Sequence, residues 1–559
     1  MIARRPLLAA LTLAAACAFA LPVWAQRQTA TKATVAAAHP LAVEAGLEIL
    51  RRGGTAVDAA VAVQMALGVV EPQSSGIGGG GFLLYYDANA RTINVYDGRE
   101  SAPAGATPDM FLATDPSGKK KPMPFREAVA SGLSVGVPGA VALLDLAHKE
   151  HGKLAWKDLF APAIELARSG YPVSPRLADW LKTIKSFRDD TSAREIYYAA
   201  DGSPKAVGDR VVNPALADMM RRLADEGPKA LYEGPVAAEI AARVHGNVRP
   251  GTLSVADLAA YRPIKREAVC GPYQVWIVCG MPPPSSGGVA ILQALALLEP
   301  FKLAQDQPND LRSLHLIAEA SRLAFADRNR YIGDPAFVDV PVAKLLAPAY
   351  IDQRRKRISP DKSMGTVAPG DPSYPEHGTS HITIVDHWGN AVSFTTTIEA
   401  PFGAQMMVRG FILNNELTDF TWLPEMDGQP VANRVQAGKR PRSSMSPTFV
   451  LDQDRALVVA VGSAGGTRII GDTLQALIGM LDWNLSPQQA LALPRLLNMN
   501  GPTILEDVPA LKAQADALRA LGHEVQVSRL EGGLTAIRRA GDGWEGAADP
   551  RRDGTAKGE

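Results

Sequence analysis

Two stretches of this 559-residue chain carry residue types that could do chemistry together: Gly378-Thr379-Ser380-His381 and, further on, Gly462-Ser463-Ala464-Gly465-Gly466. A threonine that begins a chain is a self-sufficient nucleophile. Its hydroxyl attacks, and its own α-amine, with an unperturbed pKa of about 7.7–8.0, takes the proton. The β-methyl restricts χ1 and holds the hydroxyl in aim. An internal threonine has no free amine, so the Gly378–Thr379 peptide would have to break first. Glycine suits that place because it accepts strained backbone angles and leaves its carbonyl open to attack. Taken alone, Gly-Thr-Ser before a strand also reads as an ordinary loop. The glycines of the second stretch could offer backbone N–H groups to the oxyanion that Thr379 would generate. A phosphate cradle is the competing reading, but no Lys-Ser/Thr pair follows the glycines.

Such groups need rigid elements beneath them. Ile382 to Asp386 and Ala391 to Glu399 flank His387-Trp388-Gly389-Asn390, which reads as a hairpin turn. With the turn centred near residue 388, paired numbers sum to about 776, which sets Thr379 close to Thr397. Further strands are expected at 410–414, 448–452 and 457–461, then a helix from about 467 to 482. Upstream, His39 to Leu67 reads as two helices broken at Arg51-Arg52-Gly53-Gly54. Phe82 to Tyr86 and Ile93 to Tyr96 read as strands, residues 140–262 as mostly helical, and Val289 to Leu298 as an apolar helix. Residues 340–378 are rich in Pro, Lys and Asp with little periodicity, which predicts an exposed, mobile connector. It separates two pieces expected to share one core.

The start of the chain has the layout of a secretory signal, residues 1–25: Arg4 and Arg5, an apolar run from Leu7 to Leu21, then Val23-Trp24-Ala25. The run is too short for a comfortable membrane span, and no other stretch approaches it. Cys17 follows Ala14-Ala15-Ala16 but lacks the usual leucine of a lipid-attachment box, so a lipoprotein is the lesser alternative to a periplasmic or secreted protein. Lys plus Arg equals Asp plus Glu at 58 each, so nothing points to nucleic acid or an anionic membrane surface. Cys270 and Cys279 could form a hairpin disulfide or stay two small buried hydrophobes; their spacing fits neither a zinc site nor a redox pair.

Taken in order, Thr379-Ser380-His381, Thr397-Ile398-Glu399, Asn414-Asn415-Glu416-Leu417-Thr418-Asp419-Phe420, Lys439 to Pro447 and Gly462 to Gly466 resemble the γ-glutamyltranspeptidases. Upstream, Gly78-Gly79-Gly80-Gly81-Phe82, Asp97-Gly98-Arg99-Glu100 and Pro282 to Gly288 match that family too, so the resemblance covers essentially the whole mature chain. It implies an α+β N-terminal-nucleophile hydrolase fold, a four-layer αββα sandwich. It also implies autocleavage before Thr379 into a large subunit, residues 26–378, and a small catalytic subunit, residues 379–559. Carried over by position, Thr379 is the processing and catalytic nucleophile, Thr397 orients it, and Gly465 and Gly466 are the oxyanion donors. Arg99, Ser443 and Ser444 are set to hold an α-carboxylate, and Glu399, Glu416 and Asp419 an α-ammonium. Arg440 is assigned a structural role and His381 a packing role. No cofactor or metal is called for.

The implied activity is hydrolysis and transfer of γ-glutamyl groups from glutathione and related compounds through an acyl-Thr379 intermediate, with water or an amino acid or peptide as acceptor. A cephalosporin (glutaryl) acylase-like amidase on the same fold is the nearest alternative; Glu416 and Asp419 would then face nothing. An unprocessed envelope binding protein is the alternative of another class. The chain departs from the family at Ala464, where proline is usual, and at Arg442, where leucine is usual, which could alter charge near Ser443. The segment Thr421 to Arg442 is intermediate in length between full-lid and lidless members, which predicts a more open site.

Overall fold

The computed structural model describes residues 30–367, 378–426 and 428–559. The expected signal segment, Cys17 and residues 368–377 lie outside the described residues. At the centre are two antiparallel sheets. The seven-stranded one runs in the spatial order Thr555–Gly558, Thr34–Ala37, Ser380–Val385, Ala391–Thr397, Gly80–Asp87, Thr92–Gly98 and Ile264–Arg266. The six-stranded one runs Gly543–Ala548, Thr535–Ala540, Leu457–Gly462, Thr448–Leu451, Trp276–Gly280 and Val269–Tyr273. Strands from before and after the Gly378–Thr379 peptide are interleaved in the first sheet. Thr34–Ala37 pairs with Ser380–Val385, and Ala391–Thr397 pairs with Gly80–Asp87. Cutting that peptide therefore leaves one core.

Period-2 alternation assigns the faces. Phe82, Leu84 and Tyr86 point into the space between the sheets, where they meet Phe449, Leu451, Ala460 and Ile537. Leu83 and Tyr85 point the other way with Ile382, Ile384 and Val392, under the helices Pro40–Arg51 and Ala56–Val70. The second helix begins at a capping box, Thr55 with Asp58, and is buried on nearly every side. On the far face Val450, Val459 and Val461 pack against the helices Gly287–Leu298, Leu311–Tyr331 and Ile469–Leu481. The result is the four-layer αββα sandwich.

One sequence expectation needs amending and one open alternative is decided. The stretch from 340 is no exposed connector as far as residue 367: it carries the helices Val342–Leu345 and Pro348–Arg355 and buries Leu345, Ile351, Ile358 and Val367. Four apolar anchors spaced among charged residues escape a periodicity search but suffice to seat the chain on a ready core. Cys270 and Cys279, directly opposite each other on neighbouring strands, are joined in a disulfide, which settles the alternative left open by their spacing.

Candidate active site

The hairpin register is the one the turn implies: Ser380 faces Thr396, so Thr379 comes beside Thr397 at the end of the ladder. The Thr397 hydroxyl is at the centre of a small network. It accepts from the Glu399 backbone N–H (2.8 Å) and donates to the Gly378 carbonyl (3.1 Å). The Thr379 hydroxyl lies 3.3 Å from it and against the same Gly378 carbonyl. The Thr379 carbonyl in turn accepts from Arg552 Nη1 at 3.0 Å. Gly378 has to be glycine, because a Cβ there would run into the carbonyl of Glu399 and press on Ala400 at 3.0 Å. Glu399 itself takes φ +75°, an uncommon value for a residue with a side chain, and its carboxyl accepts from the Asn415 side-chain amide.

The cleft around Thr379 is lined by Arg99, Gly378, Thr397, Glu399, Glu416 and Asp419, and across from them by Ser443, Ser444, Met445, Gly466 and Ile469. Every predicted substrate-facing residue is in this one place. Of the two glycines, Gly466 lines the cleft and Gly465 stands one residue behind it. Their φ values of 63° and 128° favour glycine. Ala464, in place of the usual proline, is buried.

Arg99 sits at the end of the strand Thr92–Gly98 and is buried. It pairs with Glu416 and Asp419, and also donates to the carbonyls of Pro441 (3.1 Å) and Arg442 (3.1 Å). Burial works against its charge, yet Glu416 and Asp419, with Glu100 behind them, hold its pKa above the ordinary arginine value. Burial lifts Glu399 and Glu416 well above the usual carboxylate range, and their acidic neighbours add to the effect. Burial also lifts Glu100, to about 8. Arg440 is structural: it pairs with Asp97 at 2.5 Å and donates to the Arg262 carbonyl at 2.7 Å. His381 is fully buried on Thr395 (2.8 Å), and burial pushes its pKa down to about 3, so it serves packing.

The Arg442 side chain turns away from Ser443. Its Nη1 reaches the carbonyls of Arg328 and Asn329 at 3.4 and 3.3 Å, so its charge caps a helix end and does not line the cleft. Within Thr421 to Arg442, a short hairpin pairs Glu425–Met426 with Gln429–Pro430. Trp422 anchors the segment by stacking on Phe111 and Phe125 at 5.0 and 5.9 Å. Sequence reasoning missed Arg552 and Arg328, both brought in from distant parts of the chain with no local motif to mark them. His315, Glu319 and His523 form a buried group of metal-ligating types. Its atoms are already bonded, His315 to His523 (2.8 Å) and Ser359 (2.7 Å), and Glu319 to Ser363 (2.8 Å) and Met364 (2.7 Å). Arg322 adds a positive charge 3.2 Å from Glu319, so the group ties the 359–364 segment down and is ill suited to a cation.

The geometry can make a nucleophile of Thr379, and known proteins place the chain among enzymes that do so. The model of the gamma-glutamyltranspeptidase family matches residues 42–559. The glutathione hydrolase proenzyme of Bacillus subtilis (strain 168) is 38% identical over 548 residues, covering 94% of this chain and 91% of that protein. The acylase ACY 1 proenzyme of Pseudomonas sp. (strain V22) is 37% identical over 533 residues, covering 94% and 93%. The cephalosporin acylase of Bacillus halodurans superposes with a TM-score of 0.85 at 29% identity, covering 98% of this chain and 99% of that one. The chain belongs to the γ-glutamyltranspeptidase family and is an autoprocessed enzyme with a threonine nucleophile.

Proposed function

We propose that the protein cuts itself before Thr379 and then hydrolyses or transfers γ-glutamyl groups from glutathione and related compounds. One observation carries this: the Thr379 hydroxyl lies against the Gly378 carbonyl, in a cleft that gathers one arginine, three acids and two serines. In the first reaction Thr379 Oγ1 attacks the Gly378 carbonyl carbon. The Thr397 hydroxyl donates to the oxygen that gains charge, and the C–N bond breaks to leave an ester and a free Thr379 amine. Water then hydrolyses the ester to a Gly378 carboxylate. In the second reaction that amine takes the hydroxyl proton and Thr379 attacks the γ-carbonyl of the donor. Gly465 and Gly466 offer N–H groups to the oxyanion, and the amine returns the proton to the leaving nitrogen. Water resolves the acyl-Thr379 ester to glutamate, and the amine of an amino acid or peptide resolves it to a new γ-glutamyl product.

Arg99, Ser443 and Ser444 hold the α-carboxylate on this reading, and Glu399, Glu416 and Asp419 the α-ammonium. A glutaryl acylase is the second reading, favoured by the likeness to named acylases. A glutaryl group would bring no ammonium to Glu399, Glu416 and Asp419, leaving Arg99 as their one cation in the cleft. We further infer export through the residue 1–25 signal; the Cys270–Cys279 disulfide supports an oxidising compartment, periplasmic or extracellular. Among the described residues no helix is long and apolar enough to cross a membrane. The test is a denaturing gel with N-terminal sequencing, joined to a donor comparison. The expected result is a small fragment beginning at Thr379, a single uncut chain in T379A, and faster release from a γ-glutamyl than from a glutaryl 4-nitroanilide. A preference for the glutaryl donor overturns the substrate assignment.

A further inference from the structure

The two serines of the cleft have their hydrogen-bond direction set from outside it. A serine hydroxyl has one hydrogen to give and two lone pairs to receive, whereas arginine and a backbone N–H only donate. Ser443 Oγ accepts from the Met445 N–H at 3.1 Å. Ser444 Oγ accepts from Arg328 Nη2 at 2.6 Å, and Arg328 Nε donates to Ser286 Oγ at 3.0 Å. Ser286 passes the direction on, giving its own hydrogen to the Ser443 carbonyl at 2.7 Å. Neither Ser443 nor Ser444 can point its hydrogen back at its partner, so both hydrogens are left for an acceptor in the cleft.

Arg328 is held firmly for this task. It is buried near the end of the helix Leu311–Tyr331, its guanidinium 5.5 Å from the Phe325 ring centre, and Arg442 braces the carbonyls of residues 328 and 329. The Pro282–Ser286 segment clamps the serine loop from the same side. Ser286 N–H donates to the Ser443 carbonyl (2.8 Å), Ser443 N–H to the Pro284 carbonyl (3.0 Å), and Ser285 Oγ to the Met445 carbonyl (2.6 Å).

We propose that Arg328 is a specificity-determining positioning residue: by occupying a lone pair of Ser444 it commits that hydroxyl to donate, and so commits the cleft to donors that carry a carboxylate. This rests on the γ-glutamyl reading above. Arg328 itself meets no substrate; its effect passes through Ser444.

The test uses the processed enzyme and two chromogenic donors, the γ-glutamyl anilide and the 4-aminobutanoyl anilide, which lacks only the carboxylate. A hydrogen bond to a charged group sets the size of the effect. R328M is expected to raise KM for the γ-glutamyl donor about tenfold or more with kcat within about threefold. Its kcat/KM for the 4-aminobutanoyl donor stays near wild type. The R328M/S444A double variant is expected to be no weaker than S444A, since the two changes remove one interaction. R328K keeps a donor-only cation in the same space, and a smaller loss of the same selective kind is expected; it also serves if R328M fails to self-cleave. Equal losses on both donors, in R328M or R328K, overturn the inference, and so does an additive double variant. A wild type that releases nothing from the γ-glutamyl donor overturns the functional reading and this inference with it.

Discussion

Thr397→Val separates chemistry from folding at the cleavage site. Valine keeps the shape and removes the hydroxyl. Because the Glu399 N–H donates to Thr397 Oγ1 at 2.8 Å, that hydroxyl must give its hydrogen away, and the Gly378 carbonyl oxygen at 3.1 Å receives it. That oxygen gains negative charge when Thr379 attacks. Losing one donor to such an oxygen costs about 3–4 kcal/mol of transition-state stabilisation, so self-cleavage should slow by about 10²–10³. The ground state suffers less. The buried Glu399 N–H loses its acceptor, worth about 1–3 kcal/mol, and the variant should still fold. The assay is a time course of purified precursor on denaturing gels, with thermal unfolding of the uncut chain alongside. Thr397→Ser restores the hydroxyl and should cleave within about tenfold of wild type. A T397V precursor that cleaves within about threefold of wild type would refute the reasoning, because Thr397 would then be an ordinary strand residue.

Gly378→Ala should accumulate as uncut precursor, because its Cβ meets the Glu399 carbonyl and the Ala400 backbone, which cannot swing aside; normal cleavage on the same gels would sink the steric argument. Glu100 holds a proton up to about 8 in the folded protein and sheds it near the ordinary carboxylate value when unfolded. The folded state therefore binds more protons between those values, and stability should fall as pH rises from about 5 to 8. Glu100→Gln should flatten that fall in thermal unfolding, and an unchanged slope would assign it elsewhere. Glu399 and Glu416, lifted by burial, should release protons when an ammonium-bearing ligand arrives. Calorimetry of glutamate binding in buffers of different ionisation enthalpy should show that release, and its absence would remove the two acids from the ammonium site.

Local signals and their limits are both visible around Thr379. The turn Asp386 to Asn390 and the period-2 strands on either side fixed the pairing of Thr379 with Thr397, because a hairpin's register follows from its turn. The family motifs placed Arg99, the acids and the serines, although more than 300 residues separate Arg99 from Asp419. What stayed hidden is what no local pattern encodes. Arg328 lies on a helix that carries several other charged residues and Arg552 near the end of the chain, and each gains its role from what the folded layers set beside it. The stretch after residue 340 hides its order for a related reason, since its four buried anchors have no regular spacing. Arg442 shows the converse: a residue type may be read from sequence, but the direction in which its side chain leaves the backbone may not.

The charge inventory of the cleft argues for a zwitterion on the proposed reading. Glu399, Glu416 and Asp419 line it against a single arginine, with Glu100 buried behind. Four carboxylates cannot all stay ionised beside one cation out of water, and burial accordingly favours the protonated forms of Glu399, Glu416 and Glu100. A second cation entering such a site would let its neutral carboxyls ionise. The serines face the opposite requirement, since their hydrogens are directed into the cleft and want an anion. A γ-glutamyl group meets both demands from one carbon atom, whereas a glutaryl group meets only the second. Relatives named as hydrolases and as acylases resemble this chain almost equally, at 38% and 37% identity. The fold is therefore common ground, and on the proposed reading the choice of donor comes down to whether these few acids are given an ammonium to hold.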